Sequence, residues 1–381
     1  WIQGQRKMRK NFAHGSTIFW NFSGRRPQRK MAGSTADPRN PPSGRLLADC
    51  YVVLLMGGTS GEREISLESG AALEEGLVAL KEQGTICGFI CIEWQADGRW
   101  DDGATVAPPA AFLGNLPPNP LFLLGLHGGG GEDGSLQGLL SSLGIPFTGS
   151  DVAASALCMD KHLSRLLFQD AGYGVAPGAL IGTDGVRAQQ AQACQADGEG
   201  PWFVKPRRGG SSLATHCITD WNHLAPALDE VWASGDEPLV EAAIQGVEVT
   251  VGLLDLGGDL PEALPLVEVC PHEGHFFDFK EKYTSDGAQE FCPPKNLGPE
   301  RCQEVASIAQ RAFRVAGCAG YARMDFIVPQ SGPPVCLEIN TLPGFTQRSL
   351  LPMAAGAVGI CFSDLVHKIL DQALLASRPR I

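Results

Sequence analysis

The chain has 381 residues, 44% apolar and 19% charged, which gives length for two or three packed domains and excludes a disordered polymer. No apolar run reaches the 18 residues of a membrane span, and its 12 cysteines, none in a Cys-x-x-Cys pair, exclude a disulfide scaffold and a zinc cluster; they read as buried thiols in a reducing cytoplasm. The net charge of −12 is uneven: residues 1–46 hold ten Lys or Arg and one acid, leaving 20 basic and 41 acidic residues in 47–381, a body that repels nucleic acid and must hold any phosphate with a few placed cations.

The basic head has the make-up of a nucleic-acid arm or a transit peptide. It shows no periodicity, and Met31 offers an internal start, so residues 1–46 are read as a disordered or spurious extension outside the fold. The first folded element is the run Tyr51–Met56, a strand buried on both faces, ending in Gly57-Gly58. Ser66 to Leu80 carries apolar residues at helical spacing. A second strand, Leu121–Leu126, runs into His127-Gly-Gly-Gly-Gly-Glu-Asp-Gly134 and then a helical stretch to Leu143. Strand, glycine-rich turn and helix, twice over, predict a doubly wound α/β domain with ligand loops at the carboxyl ends of its strands. A helix from Asp160 to Ala171 follows. Beyond it come short strands at Trp202–Pro206, Leu239–Ile244 and Val247–Leu254, a helix near Glu300–Val315, strands at Ala322–Val328 and Val335–Ile339, and closing amphipathic helices.

Four segments carry chemistry. Arg323-Met-Asp325 and Glu338-Ile-Asn340 each lie on a strand, where residues two apart face the same way. Asp325, Glu338 and Asn340 then form an all-oxygen site suited to Mg²⁺ or Mn²⁺ and completed by phosphate oxygens; the plainer reading is a polar strand face paired with Arg323. The loop Thr341–Leu350 places Gly344, with a free N–H able to meet an oxyanion, beside that site, though a plain Pro-Gly turn looks the same. Lys205 ends a strand before a Gly/Ser turn that can cradle phosphate, without the Gly-Lys-Ser/Thr of a Walker A loop. Convergence of Lys161, Lys205, Lys282 and Arg323 in so acidic a body asks for an anionic ligand. Neither strand-end loop carries a dinucleotide fingerprint. Glu62 can pair with a substrate ammonium, and His127 can orient a carboxylate or a proton, although a lone histidine is more often structural. His272-Glu-Gly-His275 lacks the helical metal-binding register and reads as a loop.

Together these segments resemble the D-alanine–D-alanine ligase family of the ATP-grasp superfamily. The resemblance spans nearly all of residues 50–375, with the motifs in family order: GGTSGEREISLESG (57–70), HGGGGEDGSLQGLL (127–140), FTGSDVAASALCMDK (147–161), VKPRRGGSS (204–212), VEAAIQGVEVTVG (240–252), FFDFKEKY (276–283), ARMDF (322–326) and EINTLPGFTQRSLLP (338–352). It implies an α+β ATP-grasp architecture: an N-terminal α/β substrate-binding domain over 47–150, a central lobe over 151–237 and a C-terminal lobe over 238–377, with ATP held between the two lobes.

Carried onto this chain, the resemblance makes Asp325, Glu338 and Asn340 ligands of two Mg²⁺ or Mn²⁺ ions. Lys161, Lys205, Ser211 and Ser212 hold phosphates, Lys282 reaches the γ-phosphate, Glu241, Ala242 and Ile244 hold adenine, and Glu248 holds ribose. Glu62 takes the ammonium of the first D-alanine, with His127 nearby. Ser349 and Leu350 bind the second carboxylate, Arg323 and Gly344 meet the oxyanion, and Glu62, Ser211 and Tyr283 form a trio closing the mobile loop. The implied reaction forms an acyl phosphate that the second D-alanine amine attacks, for peptidoglycan precursors. A cytoplasmic homodimer with small-molecule substrates, and neither nucleic acid nor membrane as partner, is expected. Tyr283 and the Ser349-Leu350 pair favour D-alanine over D-lactate or D-serine as acceptor; the rivals are such a variant ligase, another ATP-grasp enzyme and a non-catalytic ATP-binding module. Three departures stand out. Ala214 replaces a glycine, so the phosphate loop is expected to be stiffer. Ala242 replaces a lysine at a backbone contact. Ser285–Glu290, where residues help set the second substrate, is atypical.

Overall fold

The computed structural model describes residues 46–182, 200–210, 214–271, 288–346 and 348–376. The apolar run that opens the fold becomes the strand Tyr51–Gly57, whose residues Val52 to Leu55 are all fully buried. It is buried on both faces because it is central. It pairs in parallel with Gly88–Trp94 on one side and Pro120–Leu124 on the other. Two short antiparallel strands, Trp100–Asp101 and Val106–Ala107, extend the Gly88 edge. The helix Arg63–Glu82 covers the sheet with Leu73, Leu77 and Leu80.

The same core is closed from the far end of the sequence. Helices Leu350–Ala357 and Phe362–Ala376 send Leu351, Leu365, Val366, Ile369 and Leu370 into the cluster built on Val52–Leu55. Their apolar faces are therefore spent inside the protein. Among the described residues no single helix is long and apolar enough to cross a membrane.

A small antiparallel sheet orders Gly178–Leu180, Pro238–Ala242, Trp202–Pro206 and His216–Ile218, with helix Leu224–Ala233 on one face. A larger sheet runs Gln289–Phe291, Val267–Cys270, Val247–Leu254, Tyr321–Val328, Val335–Asn340 and Gly174–Val175, with Glu262–Ala263 attached to Val247–Leu254. On the larger sheet Met324, Phe326 and Val328 face a core completed by Val305, Ala309 and Phe313 of helix Pro299–Val315 and by Cys158 and Phe168 of helices Val152–Met159 and Lys161–Asp170. The alternating residues Arg323 and Asp325 face the other way. Chain texture and sheet membership do not coincide here. Pro238–Ala242 belongs to the small sheet, whereas Val152–Asp170 packs on the large one.

Candidate active site

Three elements around the parallel sheet converge on one carboxylate. Ser66, in the first turn of helix Arg63–Glu82, accepts the Gly57 N–H at 2.8 Å and donates to Gly125 O at 2.6 Å, tying both strand-end loops to the helix start. Glu62 immediately precedes that helix and is buried. Gly128, at φ +65, and Gly210, from the small sheet's turn, both lie against its carboxylate, so a Cβ at either would collide with an oxygen. Beside them Glu132 accepts the Gly128 N–H at 2.9 Å. Burial, and then the neighbouring Glu62 carboxylate, push Glu132 up to about 8, so it keeps its proton at neutral pH.

His127 is fully enclosed. Its Nδ1 donates to Leu342 O at 3.0 Å, which fixes the tautomer, and its Nε2 accepts the Ser69 hydroxyl at 2.9 Å; Ser69 Oγ in turn accepts the Phe345 N–H at 3.2 Å. Burial lowers the imidazole to about 4; the Leu342 bond opposes this and the Arg323 charge adds to it. Both ring nitrogens are thus committed to the protein. The neutral imidazole lines the cavity and pins the loop 341–346 to the N-terminal domain.

On the large sheet Arg323 stands opposite Asn340, and Asp325 opposite Glu338. The register slips between Asp325 and Phe326, a bulge next to the site. Arg323 Nε and Nη2 donate to the Asp325 carboxylate at 2.9 and 2.8 Å, and Thr250 Oγ1 donates to Asp325 Oδ1 at 2.6 Å. Lys161 Nζ lies 3.3 Å from Glu338 and donates to Gly209 O. Asn340 Oδ1 accepts the Leu342 N–H at 3.0 Å, opening the loop that carries Gly344. Among the described residues no three His, Cys, Asp or Glu side chains are spaced as a metal cluster. The two facing carboxylates and one amide oxygen nevertheless fit a hard cation that draws its other ligands from phosphate.

Gly344 turns its N–H to no acceptor among the described residues, and a Cβ there would come within 2.7 Å of Ser349 Oγ. The Ser349 hydroxyl meets Thr346 N at 3.0 Å and Thr346 Oγ1 at 2.9 Å, closing the turn before helix Leu350–Ala357. Ser349 and Leu350, at the start of that helix, line the cavity, and the unpaired N–H groups of a helix start suit an anion.

Lys205 Nζ lies 2.5 Å from Glu241, which Arg165 also approaches at 3.8 Å. Burial works against the Lys205 charge, but the Glu241 carboxylate outweighs it and the ammonium is held above its ordinary value. Asp160 caps helix Lys161–Asp170 through the Leu163 N–H at 3.0 Å and grips Arg207 Nε at 2.8 Å, locking the turn after Lys205 onto the helix bearing Lys161.

These groups line two cavities. One, of about 470 Å³, holds Glu62, His127, Arg323, Asn340, Gly344, Ser349 and Leu350; the other, of about 620 Å³, holds Lys205, Glu241, Ala242, Ile244, Glu248 and Asp325. Lys161, Gly209, Gly210 and Glu338 border both. The cavities meet at one cation and one carboxylate, Lys161 and Glu338, beside the two glycines. Ser211, Ser212, Lys282 and Tyr283 lie outside the described residues, as do His272 and His275.

Residues 167–371 match the family model described as the D-ala D-ala ligase C-terminus. The curated D-alanine–D-alanine ligase of Citrifermentans bemidjiense is 38% identical over 324 residues, 85% of this chain and 96% of that protein; that of Cupriavidus necator is 37% identical over 328 residues, 86% and 93%. The chain belongs to the D-alanine–D-alanine ligase family. Solved ATP-grasp relatives share its fold. They include the D-alanine–D-alanine ligase of Coxiella burnetii (TM-score 0.71, 27% identity, 87% of this chain and 95% of that one) and that of Bacillus anthracis complexed with ATP (0.69, 28%, 86% and 98%). The VanG D-Ala:D-Ser ligase of Enterococcus faecalis is also similar (0.74, 27%, 87% and 100%).

Sequence reasoning about this ligase-family chain missed the roles of Ser69 and Glu132, and met Glu290 only as the end of the atypical stretch Ser285–Glu290. Glu132 sat in the quoted HGGGGEDG motif, and its adjacency to glycines was its signal. Ser69 sat in the quoted motif 57–70, but its role was hidden because its partners are 58 and 276 residues away.

Proposed function

We propose that this chain joins two D-alanines into D-alanyl-D-alanine, converting ATP to ADP and phosphate. The observation that carries the reading is the meeting of a small cavity rich in paired charges with a larger, more apolar cavity at Lys161, Gly209, Gly210 and Glu338. A nucleotide in the larger cavity, its adenine on the backbone of Ala242 and Ile244 and its ribose near Glu248, delivers its terminal phosphate to that junction. Lys161 and Lys205 supply the point charges for its phosphates.

A carboxylate oxygen of the first D-alanine, its ammonium held at Glu62, attacks the γ-phosphorus while the bond to ADP breaks. The amine of the second D-alanine then attacks the acyl carbon, and phosphate leaves. Arg323 and the Gly344 N–H receive the charge on the tetrahedral oxygen, a contribution of about 3 kcal/mol for one such donor. The second carboxylate sits at Ser349 and the helix N-terminus beginning at Leu350. Asp325, Glu338 and Asn340 would hold two Mg²⁺ or Mn²⁺ ions, which when bound neutralise phosphate charge.

The family resemblance also implies a homodimer in the cytoplasm. Sedimentation of the purified chain checks the first point. ADP release with D-alanine alone, against D-alanine plus D-serine or D-lactate, tests the reaction. Turnover with D-alanine alone is expected. ATP binding without ADP formation would leave a nucleotide-binding module, and turnover only in a mixture would make it a variant ligase.

A further inference from the structure

The large sheet carries one more carboxylate on its site-facing side. Glu290, on the edge strand Gln289–Phe291, stands opposite Val269; Val269 stands opposite Glu248, and Glu248 opposite Ile327. Directly opposed residues share a face, and Ile327 alternates with Asp325 and Arg323. Glu290 therefore projects to the same side as Arg323 and Asp325. It lines the 470 Å³ cavity together with Arg323, Gly344, Ser349 and Leu350 and is partly buried there. Its neighbour Gln289 is exposed on the opposite face. Arg323 and Arg348 are the charges that act on the Glu290 carboxyl, and no hydrogen bond or ion pair joins its side chain to another described residue. Burial raises it from the ordinary glutamate value, and the two arginines oppose that.

The ligation takes two zwitterions, so the cavity must receive two carboxylates and two ammonium groups. Arg323 and the N-terminus of helix Leu350–Ala357 are suited to the carboxylates, and Glu62 to the first ammonium. Glu132, protonated at neutral pH, brings no charge. Of the other carboxylates that line the cavity among the described residues, Glu338 is paired with Lys161 at 3.3 Å and Glu68 is exposed, which leaves the partly buried Glu290 for the second ammonium. Resting on the ligase reading above, we infer that Glu290 is the ammonium-binding residue of the acceptor subsite, selecting an amino acid over a hydroxy acid as the second substrate. An ammonium gains a charge-assisted bond at Glu290, whereas the neutral hydroxyl of a 2-hydroxy acid gains a far weaker one beside the same negative charge.

The test is steady-state kinetics of Glu290→Gln, Glu290→Asp and the control Gln289→Ala, with the full-length chain, ATP and Mg²⁺. Glu290→Gln is expected to raise the KM of the second D-alanine about tenfold or more, with the KM values of ATP and the first D-alanine within about twofold. It should also raise the proportion of D-alanyl-D-lactate formed from equal D-alanine and D-lactate by several-fold. Glu290→Asp keeps the charge and should fall between, and Gln289→Ala should match the unaltered chain. An unchanged acceptor KM and product ratio in Glu290→Gln, with the unaltered chain active, overturns the inference alone. No dipeptide from the unaltered chain overturns the ligase reading and this inference with it. If Glu290→Gln does not fold, Glu290→Asp decides by the same two readouts.

Discussion

Replacing Ser69 by Ala removes one hydroxyl from the seam between the N-terminal domain and the loop 341–346. Ser69 is fully buried, donates to His127 Nε2 over 2.9 Å and accepts the Phe345 N–H over 3.2 Å. Its loss strands one buried acceptor and one buried donor, each costing about 1–3 kcal/mol, so about 2–6 kcal/mol of folding free energy is involved. His127 keeps its bond to Leu342 and can relax only slightly, which places the expectation near about 3 kcal/mol, a large share of a typical domain's stability. The chemical consequence follows from Gly344, the residue before Phe345. A loop freed from Ser69 no longer holds that N–H in place, and a lost oxyanion donor costs up to about 100-fold or more in kcat. We expect a 10- to 100-fold loss in kcat, estimated as partial displacement of that donor, with the KM for ATP little changed, because the nucleotide cavity is lined by other residues. Urea unfolding and ADP release measure the two effects. A Ser69→Ala chain with the original midpoint and turnover would refute the reasoning. A chain that loses stability but keeps kcat would confine the relay to folding.

Further outcomes follow from the same geometry. Asp325→Asn should weaken Mg²⁺ dependence of ADP release by about tenfold or more, while a chelator should abolish release in the unaltered chain and added Mg²⁺ restore it. Gly210→Ala drives a methyl group into the Glu62 carboxylate, and kcat/KM for the first D-alanine should fall at least about tenfold. Ala214 sits at φ +52, a region that costs an L-residue about 1–2 kcal/mol, so Ala214→Gly should raise the free energy of unfolding by urea by about 0.5–1 kcal/mol after the flexibility of glycine in the unfolded chain is set against it. His127, depressed from an ordinary 6.5 to about 4, stabilises the fold above its unfolded value and loses that contribution as pH falls through about 4. Thermal melts between pH 7 and pH 4 should therefore fall by an amount that shrinks in His127→Gln.

The site was legible wherever its chemistry lay on a single strand or turn. Arg323, Asp325, Glu338 and Asn340 could be placed because strand alternation has a period of two, and the register confirms that they face one another. The bulge beyond Asp325 was not visible, since one extra residue leaves no mark in an apolar run. The parallel strand Gly88–Trp94 escaped notice because its apolar run, Phe89–Ile92, is only four residues long and by itself does not separate a strand from a piece of buried helix.

The sequence by itself determined the local elements, the glycine turns at their ends and the types of charge brought to the reaction, because each depends on neighbours a few residues away. Only the tertiary structure decided that the last two helices complete the first domain's core, that Ser69 and His127 anchor a loop more than two hundred residues downstream, and that Lys205 rests on Glu241. Those contacts are set by burial and by the need to pair every enclosed polar group, and both depend on which distant surfaces meet.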